Sequence, residues 1–174
     1  MNRESLLRIV ALALFLIFSC HSRERVYVLS PSSELSLPFR AASFFGFFDK
    51  EGLELKVDVA SNPSQLINLL NFSKYSVVIA DRKVALKLSV LSNKWVKVCL
   101  VALKSGSEEP IKDGKYYLMA KERLLLDRKA FFTVVRGWNL GVELLNDRAV
   151  LYYLTGLEEL RGIRFLKCKG TDED

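Results

Sequence analysis

Residues 25–59 read RVYVLSPSSELSLPFRAASFFGFFDKEGLELKVDV, and three signals in that stretch decide the fold class. Arg25-Val26-Tyr27-Val28-Leu29-Ser30 is rich in strand-forming residues and runs into a polar stretch, Pro31 to Ser36. Pro38 suits the first turn of a helix, where its missing N–H costs nothing. The helix it opens runs to about Lys50, with Gly52 as its stop. Leu55-Lys56-Val57-Asp58-Val59 then alternates apolar and polar residues with the period of a strand. Strand, helix, strand at this spacing is a β-α-β unit, whose strands lie parallel with the helix packed over one face.

The same alternation continues downstream. Asn62-Pro63-Ser64-Gln65 has a capping residue, a proline at the first helical position and a glutamine placed for a capping box. Leu66, Ile67, Leu69 and Leu70 supply that helix's buried face. Ser76 to Ala80 is a third strand, and Asp81 caps a helix in which Val84, Leu88 and Leu91 point inward while Lys83, Lys87 and Lys94 lie on the other side. Trp95 to Leu103 is a fourth strand. The polar loop from Ser105 to Gly114 is too short for a helical crossover, so the strand Lys115–Ala120 runs antiparallel to its predecessor. Two helices follow. The first carries Phe131, Val135, Trp138, Val142 and Leu145 on one stripe, with Gly137 and Gly141 allowing close approach of a neighbour; the second carries Leu151, Leu154 and Leu157 and ends at Gly156. The expectation is one α/β domain over residues 25–168. Its sheet is mainly parallel and five-stranded, with one antiparallel strand and helices on both faces. Residues 169–174 form an acidic tail.

Upstream, Arg3 and Arg8 precede ten apolar residues, Ile9 to Phe18, and then Ser19-Cys20. Ten helical residues span about 15 Å, half the hydrocarbon core of a bilayer, so the segment reads as a secretory signal rather than a span. Ile17-Phe18-Ser19-Cys20 resembles a bacterial lipoprotein box, with a bulky Phe18 where a small residue is usual. The resemblance implies lipidation at Cys20, a signal over residues 1–19 and an anchor linker over 20–24. It places the domain on the cell membrane or outer membrane, facing the periplasm or the exterior. Of the 26 basic and 20 acidic residues, Arg3, Arg8 and Glu4 fall in the signal, which leaves 24 and 19, a surplus of +5. Attraction of that surplus to anionic headgroups fits a membrane-tethered protein better than a nucleic-acid partner does. Cys99 sits in an apolar run and reads as a small core residue; its pairing with Cys168 is left open.

Ala42-Ser43-Phe44-Phe45-Gly46-Phe47-Phe48-Asp49-Lys50-Glu51-Gly52-Leu53 resembles the Ala-x-x-x-Gly-Phe-Phe-x-x-Glu-Gly-Leu segment of substrate-binding proteins of ABC importers, in the branch for sulfonates, taurine, nitrate and thiamine precursors. Tyr75 to Asp81 and the return from Lys115 to Thr155-Gly156-Leu157 agree with that family's order of elements. Ser73 and Ser76 depart from it where Gly and Asp are frequent. Family members are two-lobed clamps. Here the loop 105–114 stands where the chain would cross to the second lobe, so the resemblance implies a single lobe of the type II periplasmic-binding-protein-like fold.

The chemistry available is that of binding. One histidine, His21, and three cysteines exclude a multi-histidine metal site and a disulfide-dense scaffold. No Gly-rich phosphate loop, Gly-x-Ser-x-Gly elbow or Cys-x-x-Cys pair is present. No catalytic residue, cofactor or metal is therefore expected. In open α/β sheets ligands bind at the carboxyl ends of the strands. That edge carries Ser30, Ser32 and Ser33 after the first strand, Ser61, Asn62 and Ser64 after the second, Asp81 after the third, and Lys104 and Ser105 after the fourth. Helix N-termini, hydroxyls and Lys104 there favour a small polar or anionic solute, although each of these residues also suits an ordinary cap or turn. The expected partners are that solute, an ABC permease or second protein completing the cleft, and the membrane. The alternative is a degenerate lobe that acts as a membrane-tethered protein-interaction module.

Overall fold

A computed structural model describes residues 23–60, 75–91, 94–105, 114–160 and 162–169. The proposed signal, Cys20, the Asn62 helix with its capping box and inward leucines, and the acidic tail from Gly170 lie outside the described residues. In chain order the elements are β1 (Glu24–Ser30), α1 (Leu37–Phe44), α2 (Phe47–Lys50), β2 (Leu53–Val59), β3 (Tyr75–Asp81), α3 (Arg82–Leu91), β4 (Trp95–Lys104), β5 (Lys115–Lys121), α4 (Glu122–Leu126), α5 (Arg128–Leu144), α6 (Arg148–Thr155) and β6 (Ile163–Phe165).

The strands form one six-stranded sheet in the order β2-β1-β3-β5-β4-β6. β1 pairs in parallel with both β2 and β3, as the repeated strand–helix alternation requires. β5 enters between β3 and β4, antiparallel to both. β6 adds a further antiparallel edge strand, with Ala102 opposite Phe165 and Lys104 opposite Ile163. The sheet is therefore mixed rather than mainly parallel, and has six strands rather than five. The antiparallel return of β5 follows from its short loop. The place that β5 takes in the sheet, and β6 itself, follow from contacts between segments far apart in the chain.

Alternation within the strands distributes the core to both faces. Val26, Val28, Val77 and Ile79 pack with Phe39, Trp138 and Val135 of α1 and α5 on one face. Leu29, Val78, Ala80 and Met119 pack with Ala85, Leu88 and Trp95 on the other, under α3. Six of the seven β3 residues are buried, as befits a central strand covered on both sides.

The helix expected from Pro38 to Lys50 is broken. Gly46 takes φ +72°, a left-handed conformation that side chains other than glycine adopt at a cost, and separates α1 from α2. The continuous aromatic run Phe44 to Phe48 hides this break in the sequence. Gly141 meets α1 so closely that a Cβ built on it would lie 1.8 Å from the Pro38 carbonyl oxygen; one on Gly137 would lie 2.2 Å from the Phe48 ring. The small residues on this stripe thus let α1 and α2 lie against α5. The Phe39 and Trp138 rings meet edge to face at 5.1 Å between centroids.

The C-terminal segment is strapped across this layer. Trp138 Nε1 donates to the Leu166 carbonyl at 2.9 Å, and Asn139 exchanges hydrogen bonds with the Cys168 backbone at 2.7 and 3.2 Å. Cys168 is disulfide-bonded to Cys99 of β4 across a separation of 69 residues. Cys99 is thus a cross-link rather than a free core thiol. No helix among the described residues is long and apolar enough to cross a membrane.

Candidate functional site

The parallel strands β1, β2 and β3, and β4 beyond β5, all end at one edge of the sheet. That edge gathers Ser30, Asp81, Lys104 and Ser105 from positions as far as 75 residues apart in the chain. Ser30 and Lys104 stand three strand spacings apart, about 14 Å. Ser61, Asn62 and Ser64 lie outside the described residues.

Most of the polar groups at the described part of this edge hold the backbone in turns, a cap or strand-end bonds. The buried Ser30 hydroxyl donates to the Ser32 carbonyl at 2.7 Å, and the Ser30 carbonyl accepts the Ala60 N–H at 3.0 Å. Ser32 Oγ accepts the Leu35 N–H at 3.3 Å, and the Ser33 carbonyl accepts the Ser36 hydroxyl at 2.8 Å. These bonds fold residues 30–36 into the turn that starts α1. Asp81 Oδ1 accepts the Val84 N–H at 2.8 Å, which is the cap of α3. Lys104 donates its backbone N–H to the Gly114 carbonyl at 2.7 Å, and Ser105 donates its own to the Gly162 carbonyl at 2.7 Å. The Lys104 and Ser33 side chains are exposed at this edge. The geometry therefore builds a rim of short, well-held turns with one lysine over it. The groups left open to solvent on this rim are the Lys104, Ser33 and Ser105 side chains, whereas the Ser30 hydroxyl is buried.

Beside this rim lies a groove of about 520 Å³ lined by Glu34, Arg148, Leu157, Glu158, Glu159, Leu160 and Ile163. Glu34 belongs to the turn after β1, and Ile163 pairs with Lys104 at the end of β4, so the groove opens onto the same edge. Asp147 caps α6 by accepting the Ala149 N–H at 2.8 Å, which sets Arg148 at the first helical position. Three carboxylates face one guanidinium here, a lining that suits an ammonium group more than a lone anion. None of Glu34, Arg148, Glu158 and Glu159 is among the candidate residues that the sequence offers. The Asp147 cap is the signal that could have placed Arg148; the convergence of the three segments has no local signature. Among the described residues no group of three or more His, Cys, Asp or Glu is placed to hold a metal ion.

A mixed sheet covered on both faces by helices, with strand ends and helix starts on one edge, defines an α/β fold similar to that of periplasmic binding proteins. The solved structure of the Candida albicans CA3427 gene product is described as defining a new family with the generic periplasmic binding protein fold. It superposes with a TM-score of 0.56 at 8% sequence identity, over 82% of this chain and 81% of that one. At that identity the likeness is one of fold. No family model matches the sequence, and no curated protein does.

Proposed function

We propose that the chain is a lipid-anchored, single-lobe relative of ABC-importer substrate-binding proteins, without enzymatic activity, that binds a small polar or anionic solute at the strand-end edge. The observation that carries this reading is the convergence of Ser30, Asp81, Lys104 and Ser105 at the carboxyl ends of the strands, beside a groove of ligand size. Lys104 would meet an anionic group, and the acidic groove an amino group, so zwitterions such as taurine and the amino acids head the candidates. The Cys99–Cys168 disulfide supports an oxidising compartment outside the cytosol, as lipidation at Cys20 requires. The test is a thermal-shift screen of the full chain against sulfonates, pyrimidines and amino acids. A ligand at about 100 times its Kd adds about 2.7 kcal/mol, a rise of about 5–10 °C for a chain of this size. A panel without any shift would remove solute binding from the reading.

A second reading is a membrane-tethered interaction module. It is favoured by an exposed aromatic cluster, in which the Phe44 ring meets Phe45 edge to face at 5.4 Å and a tilted Tyr153 ring at 5.1 Å, with Tyr153 72% exposed. Light scattering separates the two readings. A strict monomer that retrieves no membrane protein would count against the module.

A further inference from the structure

The opposite edge of the sheet, where β1 begins, carries an uneven charge. At its β1–β2 end the arginines are neutralised: Arg23 pairs with Asp49, and Arg25 with Glu54 at 2.9 Å. At its β3–β5–β4 end Arg123 and Arg128 form no such pair among the described residues. The Glu122 N–H donates to the Lys94 carbonyl at 2.7 Å, which brings the start of β4 against the end of β5. Lys94, Lys121, Arg123, Arg128 and Lys129 gather there against two acids. These acids are Glu122 and Asp127, the latter held by the Tyr75 hydroxyl at 2.7 Å and the Ala130 N–H at 3.1 Å, so cations still outnumber carboxylates here. The Lys121 ammonium is held below the usual lysine range by burial and then by the nearby Lys94 and Arg123 charges, as expected where cations are crowded. In the midst of these cations the Leu126 side chain stands 77% exposed, on the wall of a shallow concavity shared with Arg123 and Arg128.

The chain's only long apolar run joins the domain at this same edge. Residues 1–22 end at Arg23, one residue before β1, and three residues from Cys20 to Arg23 reach at most about 10 Å. The basic cluster lies two to three strand spacings to the side of β1, about 10–15 Å. An anchor at Cys20 would therefore hold this edge close to a bilayer.

We propose that the edge formed by the start of β4, the end of β5 and α4 is a membrane-docking face, with Arg123 and Arg128 on anionic lipid headgroups and Leu126 at the acyl boundary. Cations beside an anionic leaflet and an exposed leucine among them are the elements of interfacial binding. The proposal rests on the membrane-tethered reading for its setting, but its test does not require lipidation.

The purified full chain is partitioned between buffer and vesicles of phosphatidylcholine, with and without about 30% phosphatidylglycerol. Residues 1–22 contribute equally to every variant, so the readout is the ratio of the two partition coefficients. Arg123→Ala/Arg128→Ala should lower that ratio by at least about tenfold, since each cation near an anionic surface contributes about fivefold. Glu122→Gln should raise it several-fold, and added salt should abolish both differences. Ratios for both variants within about twofold of the parent would overturn the proposal, with unchanged melting temperatures showing that the variants fold. It would also fall if millimolar glycerol phosphate without vesicles protected Arg123 and Arg128 from guanidine modification, because the face would then be a small-anion pocket. Absence of acyl chains on Cys20 in cells would refute the lipoprotein reading and leave the vesicle ratios to decide this one.

Discussion

Gly141→Ala sets two opposed effects against each other and shows which governs the α1–α5 contact. In an exposed helix interior the change stabilises by about 1 kcal/mol, because alanine loses less backbone freedom on folding. Here the new methyl would lie 1.8 Å from the Pro38 carbonyl oxygen, 2.4 Å from its carbon and 2.7 Å from its Cα. All three are backbone atoms, so no rotamer change relieves the overlap. Restoring ordinary contact requires α1 to move about 1.5 Å off α5. That displacement opens the edge-to-face contact of Phe39 with the fully buried Trp138. Overpacking of this kind costs about 3 kcal/mol, at the upper end of its usual range, since the obstacle is main chain. The net loss is about 2 kcal/mol, or a fall of about 4–8 °C in melting temperature for a chain of this length. Urea unfolding with the disulfide intact, alongside thermal melting, measures it. A variant as stable as the parent, or stabilised by the propensity gain, would refute the close approach of the two helices.

Removing the cross-link with Cys99→Ser/Cys168→Ser should cost about 4 kcal/mol, the chain-entropy value for a closed loop of about 70 residues. Equal unfolding midpoints with and without reductant would contradict it. Asp81→Ala should lose about 1 kcal/mol with the α3 cap, while Asp81→Asn, which keeps the acceptor, should lose only a few tenths; equal losses in the two would show that the carboxylate charge matters more than the cap. Lys121→Gln should raise the melting temperature at pH 7 by up to about 2 °C, by removing a charge that burial, and then Lys94 and Arg123, disfavour. The sign follows from linkage. The folded pKa lies below the unfolded value of 10.5, so the charged lysine opposes folding below the folded pKa, and this penalty fades as pH rises toward 10.5. The variant's advantage should therefore shrink in alkaline buffer, and an advantage constant with pH would contradict the electrostatic cause.

Much of the architecture is legible locally. Alternation in Arg25–Ser30 and Leu55–Val59, with Pro38 between them, reads directly as β1-α1-β2, and the short 105–114 loop already demands an antiparallel β5. What escapes local reading depends on distant partners. The break at Gly46 hides in the apolar run Phe44 to Phe48, where hydrophobicity stays high while the backbone turns. β6 is three residues long, too short for a period to show, and exists because Ala102, Leu103 and Lys104 offer it an edge. The insertion of β5 between β3 and β4 is a choice of sheet order that no local pattern encodes. The Cys99–Cys168 bond likewise requires the strap of residues 163–168 to return across β4.

The site divides in the same way. The rule that ligands gather at the carboxyl ends of parallel strands places Ser30, Asp81, Lys104 and Ser105 on one edge. Which of their atoms serve the turns is settled by bonds such as Ser30 Oγ to the Ser32 carbonyl, set by the local backbone path. The groove of Glu34, Arg148 and Glu158 comes from three separate segments meeting, a convergence that the sequence carries no pattern for.

The most direct test of solute binding at the strand ends is hydrogen exchange of the full chain with and without taurine at saturating concentration. Added protection is expected over residues 30–36, 81–84 and 103–105, with the other elements unchanged. Exchange unaltered at all three strand ends for taurine, and then for each member of the sulfonate, pyrimidine and amino-acid panel, would contradict it.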